Sequence, residues 1–276
     1  MADQDLYDRH PINAEQILEA AASAGHDPAA LRPSDLRPHD QDHYGGEAVV
    51  HELARAAGIR PGDRVADVCA GMAGPARLIA EHFGAEVIGL DYNWSRCQGA
   101  ARLNGMVGMP DRVRMVRCDA QNLPLADSVL DAAISQEALL HIPGKEAVLE
   151  GVFRALRPGG RFAFTDLVAL PSLTSNDRQR LANDGMQMVD IRSAAQYREI
   201  AAASGFAVQA ETDLSEDWKI ILTERLEMYR NLQSATERVH GAEAHRQYVG
   251  PYEFFVGLVQ QGALGGVRMV FRRPDA

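Results

Sequence analysis

Cysteine is scarce in these 276 residues: Cys69, Cys97 and Cys118 are the whole supply. Three thiols cannot all pair, and no C-x-x-C is present, which argues against a disulfide scaffold. Their wide spacing matches no zinc pattern, so no metal-ligating set is expected. Long apolar runs are also missing, and nothing approaches the roughly 18 residues needed to cross a membrane. The N-terminus lacks the basic-then-apolar order of a secretion signal. Together these absences lead to the expectation of a cytoplasmic protein with free, reduced thiols. A basic stripe is absent too. Lys and Arg total 28 against 38 Asp and Glu, a formal net charge of −10, and they are scattered singly or in pairs. That fits neither nucleic acid nor an anionic membrane as a partner. Apolar residues, by contrast, make up 46% of the chain, enough to fill the core of one large domain or of a domain with a cap.

The densest pattern runs from Arg64 to Asp91. Val65, Ala66 and Val68 form an apolar run around the acid Asp67. A turn of small residues follows, with Gly71 and Gly74, and Pro75 then opens a helix, where its missing N–H costs nothing. A second apolar run, Val87 to Leu90, ends in Asp91. Strand, glycine turn, helix, strand and acid make up a mononucleotide half-site of a doubly wound α/β sheet. The complete G-x-G-x-x-G of a dinucleotide site is not there, since Cys69 and Ala73 stand where glycines are commonest. Asp67, two residues before the turn, would repel a pyrophosphate but suits an ammonium group. That points to S-adenosylmethionine, which has an amino-acid end, a sulfonium, a ribose and an adenine but no phosphate. Asp91 can then accept both ribose hydroxyls.

Further residues extend the pattern. A strand at Arg114–Arg117 leads to Cys118-Asp119-Ala120, and an apolar strand at Leu130–Ile134 ends at Ser135-Gln136. Over residues 43 to 167 the chain resembles the class I S-adenosylmethionine-dependent methyltransferases. The carriers are the D-x-x-x-G-x-x-G turn, the acid Asp91, the pair Asp119-Ala120 and Leu156-Arg-Pro-Gly-Gly160. Asp42-His-Tyr-Gly-Gly46 and Gly74-Pro75-Ala-Arg77 make it most similar to the small-molecule group around the sarcosine/dimethylglycine N-methyltransferases. The resemblance implies a Rossmann-like, doubly wound seven-stranded sheet with the last strand antiparallel. It also implies an N-terminal helical segment, here 1–42, folding over the cofactor. The cofactor-binding core is then 43–170. Residues 171–276 supply the rest of the sheet and a helical cap, with lid insertions at 168–192 and 214–262.

Strands are expected near 64–69, 86–90, 113–118, 130–135, 161–167, 206–212 and 267–271. Helices are expected near 12–24, 47–57, 75–83, 94–104, 145–156, 176–189 and 193–204, with a long helical stretch over 214–240. Pro158-Gly-Gly should stop the helix at 145–156.

The expected cofactor contacts are Asp67, Cys69, Gly71, Gly74, Asp91, Tyr92, Asp119, Ala120 and Gln136, with Trp94 a further stacking candidate for adenine. Asp119 suits an ordinary turn cap equally well. For the acceptor side the candidates are Gln136, Tyr44 as a lid, and His141 as a base, since histidine titrates near neutral pH. Glu137 shares a helical face with His141, and Asp166 ends the fifth strand. A plain packing role for His141 is the competing reading. The aromatics Trp218, Tyr229, Tyr248, Tyr252, Phe254 and Phe255 suit a cation-binding box, core packing or a homodimer interface alike. The expected activity is methyl transfer to a small molecule, with an amine nitrogen as first choice and O-, C- or S-acceptors as alternatives. A nucleotide-cofactor oxidoreductase is disfavoured by the turn, and a non-catalytic binding protein by the retained acids Asp91 and Asp119. RNA is disfavoured by the charge, and amide nitrogens by the lack of an N-P-P-Y-type tetrad after the fourth strand.

Overall fold

The computed structural model describes residues 12–184, 186–231 and 242–275. Helix α1, Ala14–Ser23, starts where the Asn13 side chain accepts the Gln16 N–H. Helix α2 is Pro33–Leu36 and α3 is Gly46–Ala57, the latter closed by Gly58 in the left-handed region that glycine enters without strain. The first half of the sheet then alternates with helices: β1 Arg64–Val68, α4 Gly74–Phe83, β2 Glu86–Asp91, α5 Trp94–Met106 and β3 Val113–Arg117. The second half runs β4 Leu130–Gln136, α6 Lys145–Ala155 and β5 Leu156–Ala169. It continues with α7 Ser175–Asn183, α8 Ala194–Ala203 and β6 Ala207–Asp213. Helices α9, Ser215–Asn231, and α10, Ala242–Gln260, precede β7, Leu264–Arg272.

The seven strands lie in the order β3-β2-β1-β4-β5-β7-β6. β1 pairs in parallel with both β2 and β4, while β7 runs antiparallel between β5 and β6. After β1 the chain winds outward through β2 and β3, then returns to β4 on the other side. The β1/β4 boundary is therefore the topological switch point, where open α/β sheets bind ligands at the carboxyl ends of their strands. Asp67, Asp91 and Gln136 stand at or next to the carboxyl ends of β1, β2 and β4. The expected seven-stranded sheet with its last strand antiparallel is the one observed.

Some boundaries differ from the sequence expectations. Helix α6 ends at Ala155, before the Pro158-Gly-Gly segment, which forms the irregular start of β5. Leu156 already pairs with Leu130, the Gly159 N–H donates to the Arg273 carbonyl, and the Gly160 carbonyl accepts from Arg273 N–H. Those three contacts take up the backbone groups that a loop would leave to water. The expected helix at 176–189 stops at Asn183, capped at its start by a reciprocal Thr174–Asp177 pair. The part of the 214–240 stretch beyond residue 231 lies outside the described residues.

Apolar residues pack both faces of the sheet. On one face α1, α3, α4 and α5 enclose Ile17, Leu53, Val65, Ile79 and Leu103; on the other α6 and α8 enclose Val148, Phe162, Tyr197 and Phe271. A third cluster, with Leu140, Leu181, Trp218, Leu222, Phe255 and Val256, joins the cap to the rim of β5 and β7. No described helix is long and apolar enough to cross a membrane.

One polar centre fixes the N-terminal segment to this frame. Arg77 on α4 is 1% exposed. Its guanidinium donates to Asp40 through Nη2 at 2.8 Å and to Asn104 on α5 through Nη1 at 2.7 Å. Asn104 in turn donates to the Val113 carbonyl at the start of β3. Removing one partner of a buried ion pair leaves the other charge uncompensated. Asp40→Ala and Arg77→Ala should each lower the unfolding free energy in urea by about 3–5 kcal/mol. The double variant should lose less than the sum of the two.

Candidate functional site

The turn after β1 holds two non-glycine residues in the left-handed region, Cys69 at φ 65° and Ala73 at φ 60°. Each carries strain that glycine would not. Gly74 is required for space, and Gly71 takes the left-handed region at φ 53°. A Cβ at Gly71 would stand 2.6 Å from Arg96 Nη2, and one at Gly74 would stand 2.2 Å from the Asp40 carbonyl oxygen. The turn is tied to β2 by Asp91, whose Oδ2 accepts the Gly71 N–H at 2.8 Å and whose Oδ1 accepts the Asn93 N–H at 2.9 Å. Each oxygen retains lone-pair capacity beyond these bonds. Asp67 is 3% exposed, and its Oδ2 is buried without a hydrogen-bond partner. Burial, reinforced by the neighbouring Asp91 carboxylate, pushes its pKa up to about 7.

Residues 40–46 cross the front of this turn as a strap. Asp40 is held by Arg77, and Asp42 Oδ2 accepts from Arg96 Nη2 at 2.7 Å. The His43 carbonyl accepts from Arg225 of α9. His43 itself is buried, which pulls its pKa down to about 4 and leaves the ring neutral. Its Nε2 meets Gln41 Oε1 at 2.7 Å.

The Tyr44 N–H donates to Glu137 Oε2 at 2.8 Å, and the Thr165 hydroxyl of β5 donates to Glu137 Oε1 at 2.5 Å. Glu137 follows the end of β4 at φ 44°, a left-handed conformation that turns its side chain away from the helical course expected for 137–141. Burial pushes its pKa up to about 8 in spite of those two donors. Beside it, both polar atoms of the Gln136 amide are buried without partners. Tyr44 packs edge-on against Trp218 at 5.0 Å and beneath the Arg225 guanidinium at 5.1 Å. Tyr229 and Tyr252 stand edge-to-face at 5.1 Å, within the electrostatic reach of the same guanidinium.

Residues 66–164 match the family described as a methyltransferase domain. The chain is 31% identical over 219 residues to a cycloartenol-C-24-methyltransferase 1 of Oryza sativa subsp. japonica, covering 77% of this chain and 63% of that protein. It is 32% identical over 191 residues to a sterol 24-C-methyltransferase of Yarrowia lipolytica, covering 65% of this chain and 50% of that protein. The chain thus spans about half the length of several curated relatives it matches. The crystal structure of a candidate sarcosine dimethylglycine methyltransferase from Galdieria sulphuraria superposes with a TM-score of 0.76 at 21% identity, covering 94% of this chain and 99% of that one. At that identity the likeness concerns the fold. The core of this chain is a class I S-adenosylmethionine-dependent methyltransferase domain.

The side chains of this methyltransferase domain fit its cofactor. A buried carboxylate with an unpartnered oxygen is costly. Asp67 is such a group, and the ammonium of the methionine end would satisfy it. The spare lone pairs of Asp91 would accept the ribose hydroxyls. Tyr92 and Trp94 are exposed at 41% and 54%, leaving aromatic faces open beside Asp91. Asp119 is exposed and caps the short turn Ala120–Asn122 by accepting the Gln121 N–H, while Ala120 is buried.

His141 is tethered, its Nδ1 lying 2.9 Å from the Gln187 carbonyl oxygen. Asp166 is fully buried and bonded to the Tyr197 hydroxyl. The side chain of Tyr248 lies outside the described residues. Sequence reasoning missed Arg96, Arg225 and the carboxylate pairing of Glu137. Only the tertiary fold brings them to the site, since Glu137 meets Tyr44 from 93 positions away.

Asp67 provides a test with a defined sign. A raised pKa means that the folded state binds a proton the unfolded state does not, so stability falls as pH rises from about 4 to about 7. Asp67→Asn removes that cost. In the ligand-free protein at pH 8 it should be more stable than the wild type by on the order of 2–4 kcal/mol, with the difference vanishing near pH 4. The same variant should bind S-adenosylmethionine more weakly. Denaturant titrations at the two pH values and calorimetry check both halves.

Proposed function

We propose that this chain catalyses methyl transfer from S-adenosylmethionine to a small apolar acceptor, with an alkene carbon as the preferred target and Glu137 as the proton acceptor. The observation that carries this reading is the Glu137 carboxyl. It is held at the end of β4 by the Tyr44 N–H and the Thr165 hydroxyl, and its pKa is raised to about 8. The cofactor, when bound, supplies an electrophilic methyl. Attack by a carbon–carbon double bond would form the new C–CH3 bond as the sulfonium S–CH3 bond breaks, the electron pair staying on sulfur in the departing neutral thioether; the acceptor is left with one positive charge, which is discharged by losing a proton. Glu137 is built to take it: one donor on each oxygen fixes the carboxylate plane, while its high proton affinity keeps it basic. Asp67, Gly71, Gly74, Asp91 and Gln136 would position the cofactor, with Cys69, Tyr92, Asp119 and Ala120 around it. Tyr44 would close the site from the strap, and a dry site strengthens every charge interaction within it. The relatives named for 24-C-methylation of sterols support carbon as the acceptor atom.

An amine acceptor is the second reading. Glu137 favours it to the extent that it could equally receive an ammonium proton. The aromatic cluster does not, because Tyr44, Tyr229 and Tyr252 gather around the chain's own Arg225. His141, its Nδ1 at the Gln187 carbonyl, serves in this reading to hold the chain after β4 to residue 187.

Three measurements test the proposal. Asp91→Ala should weaken S-adenosylmethionine binding about tenfold to a hundredfold by calorimetry, as expected for charged acceptors of hydrogen bonds; an unchanged dissociation constant would refute the ribose assignment. With radiolabelled cofactor, an alkene-bearing isoprenoid should be labelled in preference to sarcosine or dimethylamine. Wild-type turnover should rise with pH to a plateau above about 8, as Glu137 loses its proton. Glu137→Gln should flatten that limb and lower kcat roughly 10²- to 10⁴-fold, whereas His141→Ala should keep it. A limb that disappears with His141 and survives in Glu137→Gln would reverse the roles.

A further inference from the structure

On the outer face of the molecule, away from the strand ends, three potential ligands from two helices converge. Glu47 and His51 are four residues apart on α3 and therefore lie on one face of it. His82 comes from the last turn of α4. One donor atom from each of the three lies within 4.8 Å of the other two. The closest pair is His51 Nε2 and His82 Nδ1, 3.1 Å apart, and Glu47 Oε1 lies 3.5 Å from His51 Nε2. Zinc at roughly 2.0–2.1 Å from nitrogen in a tetrahedral site holds its donors roughly 3.4 Å apart. Two of the three separations therefore match a shared ion nearly as they stand, and the third lies within 4.8 Å.

The rings are also oriented. Their centroids lie 5.0 Å apart with the ring planes tilted by 32°, and Phe83 flanks His51 at 5.5 Å. Behind His82, its other nitrogen Nε2 lies 3.6 Å from Glu81 Oε2. At that separation the carboxylate acts on the ring through its charge rather than through a hydrogen bond, favouring the proton on Nε2 and leaving Nδ1 for a metal. Arg37, which is largely buried, pairs with both Glu47 and Glu81 and holds those carboxylates in place.

We propose that Glu47, His51 and His82 bind one divalent transition-metal ion, zinc by the nitrogen-rich donor set, with a fourth position left to water. The consequence is mechanical. α3 begins immediately after the strap that carries Tyr44, and α4 begins at the glycine turn. A metal joining them clamps the strap's helix to the turn's helix. The site is independent of the reaction proposed above, and its test does not use turnover.

The full chain, free of any affinity tag and stripped with a chelator, is titrated with zinc chloride by calorimetry and with cobalt chloride by visible absorption. The expected result is one ion per chain, cobalt bands of a four-coordinate ion, and a rise in Tm with zinc. His51→Ala and His82→Ala should abolish all three signals. Glu81→Gln should weaken binding by roughly 10- to 100-fold. His51→Gln and His82→Gln serve where an alanine variant fails to fold. Absence of binding, or zinc binding of wild-type affinity in the histidine variants, overturns the proposal.

Discussion

The guanidinium of Arg77 joins four pieces of chain that the sequence leaves far apart. It sits on the helix that opens at the glycine turn, grips Asp40 at the base of the strap, and reaches Asn104 on the next helix, which ties down the start of β3. A buried arginine is costly unless its donors are satisfied, so its partners hold their positions closely. The strap's course follows from this. Once Asp40 is fixed, its carbonyl oxygen comes so near the turn that position 74 must be glycine. Four residues after Asp40, the Tyr44 N–H is delivered to Glu137. Packing on one side of the sheet thereby sets the geometry of the acceptor side.

The electrostatics of the strand ends depend on the same closure. Asp67, Asp91, Glu137 and Asp166 all gather at the carboxyl edge of the sheet. Asp67 and Glu137 have proton affinities raised to near or above neutrality by burial, and Asp166 is raised to about 6. A bound cation would let these desolvated acids ionise, which agrees with a cofactor carrying an ammonium and a sulfonium. Asp91 differs from the others. Its two oxygens already accept backbone N–H groups from the turn and from the start of α5, so it is oriented before any ligand arrives. That pre-orientation spares the ordering cost that a mobile side chain would add on binding.

The sheet was legible in the sequence because its information is local. Apolar runs of strand length, glycine at the turn and an acid at the end of the second run all lie within a few residues of one another, and the strands expected around 64–69, 86–90 and 130–135 are those observed. The acceptor site was less legible because its information is not local. Reading 137–141 as one helical turn pairs Glu137 with His141, whereas the backbone of Glu137 enters the left-handed region and pairs the carboxylate with Tyr44 and Thr165. Nothing near position 137 announces that partner. Arg225 was invisible for the same reason, being one of several arginines on an amphipathic helix until the fold lays it over Tyr44. Cys69 and Ala73 were noted as departures from glycine. The structure gives their physical cost, two left-handed residues in one turn, which the surrounding packing sustains.

Arg225 also bears on what the site can accept. An aromatic cluster attracts cations through the negative faces of its rings, and an empty one would favour a quaternary or tertiary amine. Here Arg225 lies over Tyr44 and is bonded to the His43 carbonyl, so the rings' attraction is already spent on a fixed internal charge. An incoming ammonium would meet a guanidinium as well as the rings. A neutral apolar acceptor, as proposed above, would meet no such repulsion and would gain from burial against the apolar cluster of Leu140, Trp218 and their neighbours. In the proposed reaction such an acceptor would become cationic during methyl transfer, and the group proposed to respond is the Glu137 carboxylate rather than the aromatic rings, which already face Arg225. On the proposed function, the site would discriminate by when the positive charge exists, disfavouring it in the bound acceptor and stabilising it only as the proton is about to leave.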